Sequence, residues 1–168
     1  MDNEVSVFLA GGITGCWDWQ EAAIDELSKY DDTDNLVVYN PRRENFPIED
    51  PNAAQEQIEW EFKYLHQVDI FSMYFTAGQS TQPICMYELG VHLARFELSY
   101  KPLSAIVSVE DGYVRSQDVE IQTQLACSEK GGMLNMHANA KSHAELIHRD
   151  YTDLLEIRLR GGNFFSVS

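Results

Sequence analysis

The sequence predicts an α/β fold, a layered sandwich around a parallel sheet of about five strands, as a single domain over residues 1–168. Three observations predict it. Short apolar runs recur along the chain, a stretch with helical spacing follows each of the first four, and 168 residues at 44% hydrophobic content fit one buried core rather than two. Alternating strand and helix implies parallel strands joined by crossovers.

The elements follow in order. VSVFLA (5–10) reads as the first buried strand, and WDWQEAAIDELSKY (17–30) as a helix with Trp19, Ala22, Ala23, Leu27 and Tyr30 at helical spacing. LVVYN (36–40) is the second strand. AAQEQIEWEFKYLHQV (53–68) is the second helix, and Ile58, Phe62 and Leu65 mark its expected packed side. DIFSMYF (69–75) is the third strand, and Pro83 suits the first turn of the third helix. LSAIVSV (103–109), a helix around 117–128, a weak apolar patch at GMLNM (132–136) and a long helix around 141–159 complete the sandwich. Repeats, low-complexity tracts and linkers are absent from the sequence.

Charge narrows the partners. A formal net charge of -15 with only 12 Lys and Arg leaves no footprint for a phosphate backbone, and anionic membranes repel such a chain, so neither nucleic acid nor membrane is expected as a partner. With no cationic start and apolar run at the N-terminus and no apolar span of membrane length, the expectation is a soluble, cytoplasmic protein. Cys16, Cys85 and Cys127 are odd in number and unpatterned, which suits core or incidental thiols in a reducing compartment.

In folds of this class ligands bind beyond the carboxyl ends of the strands. The loops there are GGITGCW, NPRRENFP, TAGQSTQP and EDGYVRSQD, each richer in Gly, Pro and polar groups than packing requires. The glycines of GGITG match neither dinucleotide nor P-loop spacing, and the second strand ends in Asn40 where a ribose-binding acid is expected, so no cofactor is implied. Gly11 and Gly12 serve either a tight turn or the approach of a ligand to the backbone, and the two uses are compatible. His66, His92, His137, His143 and His148 form no zinc spacing, and no metal is expected. Cys85 reads as a small buried thiol. One of Trp17 and Trp19 belongs in the core and the other in a loop, where an indole is a stacking platform for a flat heterocycle. Arg42 and Arg43 either clamp an anion or neutralise acidic neighbours.

Two acids stand out. PICMYELGVHLA (83–94) places Glu88 among Ile84, Met86, Leu89, Val91 and Leu93, where an unpaired carboxylate loses hydration worth several kcal/mol. Glu61, in QIEWEFKYLHQVD, lies three or four residues from the expected packed side of its helix, where either a solvated face or a site accounts for it.

Taken together, VFLAGGITG, NPRR before a Phe-Pro, QIEWE, a strand opening on Asp69-Ile70, and YELG resemble the nucleoside 2-deoxyribosyltransferase family, in the right order over about residues 5 to 125. The resemblance implies a flavodoxin-like sandwich that forms a homo-oligomer and exchanges bases on deoxyribose, with nucleosides and free nucleobases as its small-molecule partners. It also implies roles. Glu88 falls on the family's nucleophile, and Glu61 on the acid that binds the base and manages its proton, with Glu replacing the Asp of better-known members. Asp118 is the best candidate for holding sugar hydroxyls, partly across a subunit interface. Where those members carry a Tyr that hydrogen-bonds the nucleophile this chain has Phe8, which leaves a backbone amide or Tyr87 to orient Glu88. The aromatic that covers the base falls near Ile13 or Thr14, with Trp17 as a substitute. The competing expectations are an N-glycoside hydrolase of nucleosides or nucleoside 5′-monophosphates, with Arg42, Arg43 and Arg115 as phosphate partners, and a non-catalytic nucleotide-binding module.

Overall fold

Five apolar segments pair side by side in the computed structural model, which describes residues 4–42, 50–98, 100–127 and 132–160. They are β1 (Val5–Gly11), β2 (Leu36–Tyr39), β3 (Ile70–Phe75), β4 (Ser104–Val109) and β5 (Met133–Met136), all parallel in the order β2-β1-β3-β4-β5. This is the flavodoxin-like order. Every residue of β3 is buried, as expected of a central parallel strand covered on both faces, whereas the edge strands β2 and β5 are only partly buried along their length. The weak apolar patch of the sequence is thus an edge strand.

The helices are α1 (Trp19–Leu27), α2 (Pro51–Leu65), α3 (Pro83–Glu97), α4 (Ser116–Ala126) and α5 (Ala140–Leu159). Local chemistry sets their starts. Asp18 caps α1 by accepting from the Glu21 amide, Asp50 caps α2 ahead of Pro51, and Asn139 with Ser142 forms a capping box on α5. On one face of the sheet α1 and α5 pack Trp19, Leu27, Ile147 and Tyr151 against Val7, Leu9, Ile70 and Ile106. On the other, Leu65, Leu89, Leu93 and Val119 of α2, α3 and α4 cover Phe8, Phe71, Met73 and Val107.

The packed side of α2 differs from expectation. Ile58 and Phe62 are exposed, while Trp60, Tyr64 and Leu65 turn to the core, where Trp60 and Tyr64 meet Tyr39 and Trp60 meets Phe8. Two stripes compete on this helix, and the one with more aromatic surface is buried. Among the described residues no helix is long and apolar enough to cross a membrane.

Candidate active site

The chain leaves β1 toward β2 on one side and reaches β3 on the other, so the crevice beyond the carboxyl ends of β1 and β3 is the topological switch point. A cavity of about 220 Å³ lies there. Phe8, Ala10, Gly11, Gly12, Ile13 and Thr14 form one wall, Pro41 and Glu61 a second, and Ser80, Gln82, Pro83, Ile84, Cys85 and Glu88 the third. Both acids singled out from the sequence therefore meet in one cavity, together with Phe8, Gly11, Gly12 and Ile13.

Glu88 is placed by the start of α3. With Pro83 in the first turn, Ile84, Cys85 and Glu88 share the face turned to the cavity. Among the described residues no hydrogen bond or counter-ion reaches its carboxylate. Burial, and secondarily the charge of Glu61, push it up from 4.5 to about 7. Glu61 accepts at Oε1 from Gln57 Nε2 at 2.7 Å, and the same amide donates to Pro41 O at 3.0 Å, which ties α2 to the end of β2. Cys85 stays a thiol near neutral pH, because burial, with the nearby Glu88 charge, pushes it up to about 12.

Packing requires glycine at position 11 and crowds position 12. A Cβ on Gly11 would stand 2.3 Å from Tyr74 O, and one on Gly12 would stand 2.5 Å from Cys16 Sγ. Phe8 is buried with its ring 5.7 Å from that of Trp60 and brings no hydroxyl to Glu88. Tyr87 does not replace it: the side chain is 71% exposed and makes no hydrogen bond to Glu88, because it lies on the solvent side of α3.

Sequence reasoning missed Gln82. It begins α3 in a left-handed conformation (φ 47°), is 4% exposed, and donates from Nε2 to Thr76 O at 2.9 Å and Oγ1 at 3.2 Å. Its Oε1 is buried without a partner at the cavity wall. Leaving such an oxygen unpaired costs about 1–3 kcal/mol. No sequence signal announces it, since Gln is common on solvated helix starts.

Two expected residues lie elsewhere. Trp17 lines no part of the cavity; its ring is 46% exposed and Nε1 donates to Glu110 Oε1 at 3.0 Å, while Trp19 is the fully buried indole. Asp118 is half exposed, pairs with Arg115 at 3.2 Å, and borders a separate groove of about 670 Å³ between α3 and α4. That groove is larger, but the smaller cavity holds the paired acids. Arg42 neutralises an acidic neighbour rather than standing free: it pairs with Asp18 at 3.1 Å and donates to Trp17 O at 3.1 Å and Gln20 Oε1 at 3.2 Å. Arg43 and the Phe46-Pro47 pair lie outside the described residues. No Lys, Arg or His lines the cavity among the described residues. Among them, too, no group of three or more His, Cys, Asp or Glu is arranged around a metal position. His143 is a core histidine, held between Ser72 and Ser108 and kept neutral by burial, its pKa about 3.

The model of the nucleoside 2-deoxyribosyltransferase-like family matches residues 4–99, from β1 through α3, a span that contains both acids. No curated relative matches in sequence. Among solved structures, RosB, crystallised with the bound intermediate 8-demethyl-8-formylriboflavin-5′-phosphate, is similar over 95% of this chain and 82% of its own, at 11% identity and a TM-score of 0.48.

Proposed function

Because the chain belongs to the nucleoside 2-deoxyribosyltransferase-like family, we propose that it transfers 2-deoxyribose between nucleobases through a glycosyl ester on Glu88. The observation that carries this reading is the pairing of Glu88 with Glu61: two acids in one cavity, one of them without a partner among the described residues and poised at about 7. Near pH 7 Glu88 is about half ionised, and a neighbouring acid that can hold the base's proton is what the chemistry asks for beside it. Ionised Glu88 attacks the anomeric carbon as the glycosidic C–N bond breaks. The departing base takes the electron pair of that bond and a proton from Glu61, because an expelled base anion is a poor leaving group. A carboxylate among Phe8, Ala10 and Ile84 stabilises the cationic sugar in a low-dielectric site. A second base then attacks the same carbon, gives its proton to Glu61 and releases Glu88, with retained configuration after two displacements.

We extend the proposal to assembly. Ile84, Tyr87, Ile121 and Leu125 are exposed, and Gly90, a costly residue inside a helix, has open space before it, which suits a second copy packing on α3 and α4 near Asp118.

The test is to incubate the protein with deoxyinosine, or with thymidine if purines fail, with and without free adenine, and to quantify nucleosides and free sugar. Transfer yields deoxyadenosine with little free sugar. Equal free sugar in both tubes and no new nucleoside would make the protein a hydrolase. If neither donor is consumed, the cavity is a binding site without turnover.

A further inference from the structure

The two loops that wall the cavity are fastened to a carboxylate that lies outside it. Glu110 follows the last residue of β4 and lines no part of the site. Its amide donates to Phe75 O at 3.0 Å, which extends the β3–β4 pairing by one step and fixes the backbone from which the side chain projects. Glu110 Oε1 accepts from Tyr74 Oη at 2.9 Å and from Trp17 Nε1 at 3.0 Å, and Oε2 accepts from the Ala77 amide at 2.6 Å. The three donors come from three segments. Trp17 ends the loop that supplies Gly12, Ile13 and Thr14, and Ala77 begins the loop that supplies Ser80 and Gln82.

We infer that Glu110 is a positioning residue, which sets the separation of the two loops and so the width of the cavity between them. Hydrogen bonds to a carboxylate are about twice as strong as neutral ones, and three directional donors are more than a solvated acid needs. Trp17 is only half buried, so the bond to Glu110 adds a directional hold on its ring that packing alone does not give. Neighbouring contacts act in the same sense. Gly78 pairs with Tyr113 in a short bridge and Tyr113 Oη donates to Thr81 O at 2.9 Å, so the β4–α4 segment grips the loop before α3 at three points. On the opposite side Arg42 donates to Trp17 O, which leaves the first loop pinned from both flanks.

That Glu110 governs turnover rests on the transfer reading of the cavity; that it couples the two loops does not. The experiment therefore reads both, comparing wild type, Glu110→Gln and Trp17→Phe by amide hydrogen exchange and by steady-state kinetics with deoxyinosine and adenine. Glu110→Gln is nearly isosteric, but its amide NH₂ cannot accept, so at least one of the three donors loses its partner. We expect exchange to speed by about tenfold in peptides covering both 12–18 and 76–82, with β3 and α5 unchanged. Trp17→Phe, which deletes a single donor on the surface, speeds only the first loop. KM rises by about tenfold in Glu110→Gln while kcat changes less, a split that a loss of folded protein alone would not produce. The inference is overturned if only one loop responds to Glu110→Gln, if neither does, or if exchange rises throughout the molecule. If wild type consumes no donor, the transfer reading falls and the loop coupling is still decided by the exchange data.

Discussion

Two carboxylates stand at opposite ends of the same sheet and have opposite fates. Asp69, just before β3, is 3% exposed and fully partnered: the Ser6 amide and hydroxyl donate at 2.9 Å each, and Lys101 Nζ and Arg158 Nη2 at 2.6 Å each. Burial pushes its pKa up, but the bonds from Lys101 and Ser6 and the two cations outweigh it and hold the group below its ordinary value. Glu88 has the burial, a like charge nearby and no partner among the described residues, and rises to about 7. Asp69 is a structural knot joining β1, the turn before β4, and α5. Glu88, on the proposed reading, is the reagent, and the contrast teaches that what a buried acid does depends on whether the fold supplies its counter-charge or leaves that to a ligand.

The comparison breaks most sharply under substitution. Glu88→Gln should lower turnover by on the order of a thousandfold or more while leaving the melting temperature unchanged or higher, since it deletes the proposed nucleophile and a buried like charge without opening a cavity. Asp69→Asn should do the reverse. Urea unfolding should show a loss of about 2–3 kcal/mol, less than for a fully buried pair because Lys101 is partly hydrated, with activity per folded molecule retained. Activity loss in both variants, or stability loss in both, would erase the distinction.

The pH dependences should run in opposite directions. Glu88 is raised on folding, so its contribution to stability is full below its unfolded value of 4.5 and is lost as pH climbs through about 7. Asp69 is lowered on folding, so its contribution is present above 3.8 and is lost as pH falls through its depressed folded value. The difference in unfolding free energy between wild type and Glu88→Gln should therefore slope between pH 4.5 and 7, and that between wild type and Asp69→Asn only at lower pH. If the carboxylate attacks as proposed, kcat/KM should rise with pH around a midpoint of about 7.

Smaller changes sharpen the account. Glu61→Gln keeps an acceptor for Gln57 but removes the like charge, so the acid limb of kcat/KM should move below 7; on the proposed reading the variant can no longer manage the base's proton, and kcat should fall by about a hundredfold. Phe8→Tyr adds a hydroxyl at the cavity wall. If that hydroxyl meets Glu88, the limb should also drop, with kcat changing only a few-fold; an unmoved limb would show that the ring edge points elsewhere.

How much of this could be read from the chain depends on the element. β1, β3 and β4 were legible because central parallel strands bury both faces and so read as unbroken apolar runs. The face of α2 was not, since Ile58, Phe62 and Leu65 form as regular a stripe as Trp60, Tyr64 and Leu65, and only the tertiary partners Phe8 and Tyr39 choose between them. Glu88 stood out through its apolar surroundings in sequence. Gln82 and Glu110 did not, because their roles come from a left-handed backbone and from donors on distant segments that no local pattern contains.

The central claim is that Glu88 becomes covalently bound to the sugar. Mixing the protein with deoxyinosine in the absence of acceptor, quenching in acid and mapping peptides by mass spectrometry tests it directly. The account predicts one deoxyribosyl increment on the peptide carrying Glu88, discharged by added adenine and absent from Glu88→Gln. Donor consumption with no increment on that peptide, or an increment that persists in Glu88→Gln, would contradict it.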